Sequence, residues 1–232
     1  HFERIDRAYD DGERMVTTPP YTAYLKIAEG CSNGCAFCII PKLRGRYRSR
    51  TMDHLLEEAK SLADSGVKEL IVIAQDITRY GSDLGDGTTL AGLLKELCKL
   101  PFHWIRLHYL YPEAITDELV EVIASEKKIV HYLDIPIQHC NDGILKAMRR
   151  RNTKAELEEL FARLRKAIPD VVIRTSLICG LPGEGEAEFE ELCEFLKEQK
   201  LQRAGVFQFS PEEGTLAEKM ENQVDPDVAA RR

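Results

Sequence analysis

Residues 24–38 read YLKIAEGCSNGCAFC. Tyr24 to Ala28 alternates and is rich in strand formers, so it predicts a first strand running into a loop that carries Cys31, Cys35 and Cys38. Downstream, a helical stripe follows: Leu55, Leu56, Ala59, Leu62 and Ala63, with Gly66 as its stop. Leu70 to Ala74 (LIVIA) is a short continuous apolar run, as expected of a parallel strand covered on both faces. The alternation continues. Leu90, Leu93, Leu94 and Leu97 make a helix ended by Pro101, and Trp104 to Leu110 reads as strand three. Thr116 opens a helix before a fourth strand, Ile129 to Ile137. Ile144, Leu145 and Met148 mark a short helix, and Thr153 with Glu156 has capping-box spacing ahead of a longer one. Val171 to Ile178, a helix with Phe189, Leu192, Cys193 and Leu196 on one face, and Gly205 to Phe209 complete six β-then-α units.

That order predicts an α/β fold with a parallel sheet and helices outside it, either an open doubly wound sheet or a partial barrel. In both, chemistry gathers at the carboxyl ends of the strands, which is where the Cys loop falls. A chain of 232 residues suits one large domain, the preferred reading, or two small ones. Hydrophobic residues at 44% and charged residues at 31% are an ordinary globular balance, with no apolar run long enough to span a bilayer. No membrane partner is expected. A net charge of −7 argues against a surface that grips nucleic acid throughout, so nucleic acid is not the expected partner. Without an initiating Met, and with polar stretches at both ends, the chain reads as a piece of a longer protein.

Seven cysteines are an odd number, and three of them lie within eight residues. A disulfide framework fits that poorly; an intracellular metal or redox site, and hence the cytoplasm, fits it well. The spacing C-x3-C-x2-C lets three thiolates each take one iron of a 4Fe-4S group and leaves the fourth iron without a protein ligand. An open iron can chelate the amino and carboxylate groups of S-adenosylmethionine and place its sulfonium beside a one-electron donor. The rival is a zinc site, for which a distant pair such as His139 and Cys140 would have to supply the fourth ligand. Cys98, Cys179 and Cys193 lie on or beside apolar stripes and read as core. Lys42 to Arg50 (KLRGRYRSR) puts five positive charges directly after the loop, either a solvated face or a means of steering an anion toward the open iron. The second basic run, Arg149 to Arg151, joins two helices and is assigned no site.

The stretch EGCSNGCAFCIIPKLRGRYRSR resembles the radical S-adenosylmethionine (radical SAM) motif of the methylthiotransferases, and the likeness covers nearly the whole chain. Within that family, IAQDITRYG, LHYLYPEAI, HYLDIPIQHCNDGILKAMRRR and FSPEEGT are similar to the branch that methylthiolates the β-carbon of an aspartate in a small-subunit ribosomal protein. The branch that modifies an adenosine of tRNA usually has a small residue and Gly after the strand-four Gln, where this chain has His139. A tRNA substrate stays open as the alternative, as do another radical SAM substrate and a zinc-binding interaction module.

The resemblance implies a partial (β/α)6 barrel with a 4Fe-4S group on Cys31, Cys35 and Cys38, the catalytic and metal-binding residues. It implies S-adenosylmethionine as co-substrate, an electron donor such as flavodoxin or ferredoxin, and a second, auxiliary 4Fe-4S group in a preceding N-terminal domain. Domain boundaries follow as a linker over 1–20, the core over 21–215, and a linker over 216–232 toward a further C-terminal domain. Cofactor contacts are expected from Gln75 and Asp76 on the methionine amino group, with a plain cap or turn role as the other reading of both. Gln138 is expected near the ribose, and Arg174 and Ser176 on the segment beside the adenine. Phe37 is expected to offer its backbone to the adenine edge and its ring as cover for the iron–sulfur group.

Overall fold

The computed structural model describes residues 17–232. Most of the linker expected over 1–20 therefore lies outside the described residues. The described residues divide into two compact units, one comprising 17–32 with Ile40–Asp134, the other Asn33–Ile39 with Ile135–Arg232.

In the first unit four parallel strands stand in the order β1 (Thr22–Lys26), β4 (Glu69–Ile73), β5 (Trp104–Leu107) and β6 (Ile129–Asp134). A two-residue antiparallel pair, β2 (Ala28–Glu29) with β3 (Arg48–Ser49), follows the first strand. The helices are α1 (Ile40–Arg44), α2 (Met52–Asp64), α3 (Leu90–Lys99) and α4 (Asp117–Ser125). Their buried stripes are the expected ones, including Leu55, Ala59 and Leu62 on α2 and Leu90, Leu93, Leu94 and Leu97 on α3. Thr89 and Thr116 cap α3 and α4 by accepting from Gly92 N and Leu119 N, contacts worth about 1 kcal/mol each. The interior of this unit is aliphatic: Leu25, Leu70, Leu93, Leu94, Leu97, Ile105 and Leu107 are all fully buried.

The second unit holds α5 (Asp142–Ala147), α6 (Lys154–Ala167), β7 (Val172–Cys179), α7 (Glu186–Gln199), β8 (Arg203–Gln208) and α8 (Pro226–Arg231), with β7 and β8 parallel and in register from Arg174–Arg203 to Cys179–Gln208. The capping box at Thr153 and Glu156 is present, and Asn141 caps α5. Within 216–232, read from sequence as linker, Ala217 is fully buried and α8 is helical.

Three strands end earlier than their sequences suggest, each for a local reason. Beyond Lys26 the backbone turns from β4 toward β3, and Arg50 N donates to Ile27 O. Strand β5 stops at Leu107 because Tyr109 adopts the left-handed conformation (φ 66°), its N–H donating to the carboxylate of buried Asp134. Strand β6 stops at Asp134, two residues before Pro136, which has no N–H for a ladder.

Candidate functional site

Cys31 follows β2 in the first unit. Gly30 precedes it with φ 76°, and a Cβ there would lie 2.2 Å from Arg46 O and 2.7 Å from Gly45 O. Only glycine permits that approach. The backbone is then stapled: Cys31 N donates to Gly45 O (3.2 Å), and Tyr47 N donates to Ser32 Oγ (3.1 Å). Glu29 is buried beside this turn, and although burial pushes its carboxyl up, Lys26 and the Gly30 amide hold it below the usual carboxylate range.

Tyr47 is itself buried, and its hydroxyl donates to Asp76 O (2.8 Å); burial, with Asp76 nearby, raises its pKa. Through it the Cys31 turn is connected to the end of β4, where two neighbouring residues behave differently. Asp76 is fully buried and caps a short 3-10 turn over Ile77–Arg79, accepting from Thr78 N (3.0 Å) and the Thr78 hydroxyl, with Arg79 Nε 3.4 Å away. The cap reading describes its carboxylate. Gln75 instead has a buried Oε1 to which no group donates among the described residues. A buried acceptor of that kind is costly unless a donor arrives.

Part of the basic run is internal. Arg50 is buried, pairs with Glu58 and donates to Lys26 O (3.1 Å). Arg48 donates to the carbonyls of Arg46 and Arg44. Lys42, Arg44 and Arg46 are exposed.

Cys35 and Cys38 belong to the second unit and bound one turn, in which Cys38 N donates to Cys35 O (3.1 Å). Gly34 enters that turn with φ 71°. Between the two cysteines, Ala36 N donates to Met148 O (2.9 Å), and Ala217 N donates to Ala36 O (2.9 Å). Ala36 is buried with Ile144, Met148, Leu181 and Ala217, and the Phe37 side chain packs against that apolar group. Buried Arg150 directs Nη1 to Cys35 Sγ at 3.9 Å. The Arg149–Arg151 run carried no assigned site in the sequence, so this contact is one that sequence reasoning missed.

Gln138 has φ 71° and is bridged to β7: its N donates to Ser176 O, and its O accepts from Ile178 N. Arg174 and Ser176 share the half-buried face of β7, with Arg174 Nη1 3.2 Å from Ser176 Oγ. Gln138, Arg174 and Ser176 are thus brought together along one strand. His139 and Cys140 are both fully buried. His139 Nδ1 accepts from Asn141 N (3.0 Å), and its Nε2 lies 3.6 Å from Glu184, a carboxylate that also accepts from Gly180 N and Arg232. Burial pushes the Cys140 thiol up to about 12. Both proposed zinc donors are thus committed to the unit's interior. No group of three or more His, Cys, Asp or Glu among the described residues is placed to share a single metal ion, as a zinc site requires, whereas a 4Fe-4S group takes each thiolate on a different iron.

The sequence pattern of the radical SAM superfamily matches residues 25–196. The chain belongs to the radical SAM superfamily. Among curated proteins it is 53% identical over 229 residues to the ribosomal protein uS12 methylthiotransferase RimO of Caldanaerobacter subterraneus subsp. tengcongensis, covering 98% of this chain and 52% of that one. The protein of the same name from Anaeromyxobacter sp. is 55% identical over 219 residues, covering 94% and 46%. The chain spans about half the length of these relatives. Coproporphyrinogen III oxidase (HemN) from Escherichia coli superposes with a TM-score of 0.68 at 17% identity over 92% of this chain and 51% of that chain. The methyltransferase TsrM from Kitasatospora setae, solved with tryptophan and a SAM analogue, gives 0.67 at 17% over 84% and 39%. The fold is the expected α/β partial barrel of this superfamily, with six parallel strands and helices.

The residues present fit the superfamily's cofactors. Cys31, Cys35 and Cys38 are half-buried and outside any disulfide, while three of the other four cysteines are buried. A guanidinium stands beside one of the three, as suits an anionic sulfur. The open acceptor on Gln75 suits the ammonium of a bound amino acid.

Proposed function

We propose that this chain is the catalytic core of a radical SAM methylthiotransferase that modifies the β-carbon of an aspartate in ribosomal protein uS12. The observation that carries the reading is the 53% and 55% identity to two proteins of that name over 98% and 94% of this chain, which carries the C-x3-C-x2-C spacing.

Cys31, Cys35 and Cys38 would hold the 4Fe-4S group. When bound, that group with S-adenosylmethionine would supply the one-electron chemistry able to take hydrogen from an unactivated carbon, which no general base does at neutral pH. The chain's own residues bind and orient. Gln75 accepts from the methionine amino group, while Asp76 holds the turn that presents Gln75. Arg174 and Ser176 offer donors along β7, to the cofactor carboxylate and the adenine side, and Gln138 faces the ribose. Phe37 packs its ring on the apolar group behind the loop, which keeps water from that side of the site, and leaves its backbone for the adenine edge. Exposed Lys42, Arg44 and Arg46 attract an anionic group toward the loop.

The auxiliary 4Fe-4S group and the sulfur it carries belong to the portion of the relatives that this chain does not span. Flavodoxin or ferredoxin is the class of electron donor. No helix among the described residues is long and apolar enough to cross a membrane. A ribosomal protein substrate supports the reading of a cytoplasmic enzyme. The test incubates the full-length enzyme with uS12 and, separately, with tRNA: the reading expects a methylthio mass gain on uS12 alone. A gain on tRNA alone overturns the substrate, and normal 5′-deoxyadenosine production by Cys35→Ala overturns the iron–sulfur assignment.

A further inference from the structure

Arg150 is placed by an unusual helix end. Helix α5 closes in a Schellman motif, with Arg150 N donating to Leu145 O (2.8 Å) and Arg149 N to Lys146 O (3.0 Å). The residue that reverses the chain in such a motif is usually glycine, but here it is Arg149, in the left-handed region at φ 57°. Its side chain is exposed, and the reversal turns the next one inward, leaving Arg150 6% exposed. Arg150 Nη2 donates to Pro136 O (2.9 Å), which fixes the guanidinium plane, and Nη1 reaches Cys35 Sγ at 3.9 Å. Met148 O, two residues earlier, accepts from Ala36 N. One helix end therefore grips consecutive residues of the cysteine loop, Ala36 through its backbone and Cys35 through its sulfur.

A buried guanidinium is retained at a desolvation cost that an anion in reach offsets. Beside an iron–sulfur group such a charge stabilises the reduced, more negative state, one of the means by which a protein sets its potential.

We propose that Arg150 is a positioning residue for the Cys35 corner of the iron–sulfur site, where its guanidinium at the sulfur orients that ligand and raises the reduction potential of the bound group. This rests on Cys35 being an iron ligand. The step concerned is the gain of one electron by the 4Fe-4S group from a reductant such as dithionite, with no bond made or broken in the protein.

The experiment reconstitutes the wild type, Arg150→Met and Arg150→Lys anaerobically with ferrous iron and sulfide. It measures iron content, thermal unfolding, and the midpoint potential by EPR during dithionite titration with mediators. For a folded, iron-loaded Arg150→Met, the equilibrium constant for one-electron reduction is expected to fall about tenfold, a 59 mV drop. Arg150→Lys, which keeps the charge, should recover most of it. A folded Arg150→Met that no longer takes up iron also supports the positioning role. The inference is overturned if Arg150→Met keeps the wild-type potential, or if both variants unfold, since either result makes Arg150 merely structural. A wild type that takes up no iron overturns the iron–sulfur reading itself, and this inference with it, a result distinguishable from the others because it appears before any variant is read.

Discussion

Cys31, Cys35 and Cys38 are half-buried on a loop whose glycines, backbone bonds and neighbouring guanidinium hold the chain in place, whereas Cys98, Cys140 and Cys179 are buried. Burial pushes the thiols of Cys98 and Cys140 up to about 12 and that of Cys179 up to about 11. The same side chain thus sits half-buried on a stapled loop in one region and is kept neutral as a small hydrophobe in the other. Thiol chemistry here is decided by backbone geometry and desolvation, not by the number of cysteines.

The contrast breaks most visibly at the loop. Cys35→Ala should reduce iron retention and 5′-deoxyadenosine formation to background, while Cys140→Ala should leave both unchanged and cost about 1 kcal/mol in a denaturant titration. Two glycines of the loop sharpen the geometric half. Gly30→Ala forces a Cβ onto the carbonyls of Arg46 and Gly45 and should cost about 3 kcal/mol, whereas Gly34→Ala meets nothing within 4 Å and carries only the left-handed penalty of about 1 kcal/mol. Equilibrium unfolding of the two variants separates these values.

The buried thiols give a pH signature. Their folded pKa values lie above the ordinary 9.0, so the unfolded chain loses these protons first as pH rises. Their contribution is fully present below pH 9.0 and is lost as pH climbs toward about 12. Urea midpoints should therefore fall across that window, and Cys140→Ala should make the decline shallower. The smallest effect concerns Arg149: replacing it with glycine relieves the left-handed backbone and should raise stability by about 0.5–1 kcal/mol, readable as a small increase in the unfolding midpoint.

Regular elements were legible because their signals are local. The stripes of α2 and α3, the caps at Thr116 and Thr153, and the apolar run in β4 each lie within a few residues of sequence. The cysteine spacing was legible for the same reason. What escaped depends on partners distant in the chain. Gln75 and Asp76 look alike in sequence, and only the turn at Thr78 and Arg79 shows which carboxyl or amide is already engaged. Arg50 belongs to a run that reads as surface until Glu58 draws it inward. Arg150 reaches a residue 115 positions earlier through a reversal for which no glycine gives notice.

Anaerobic reconstitution with ferrous iron and sulfide, followed by metal and acid-labile sulfide analysis, tests the three-thiolate assignment most directly. The account predicts about four iron and four sulfide per chain, lost when Cys31, Cys35 or Cys38 is replaced. A colourless protein holding a single zinc per chain, or iron retained in all three variants, would contradict it.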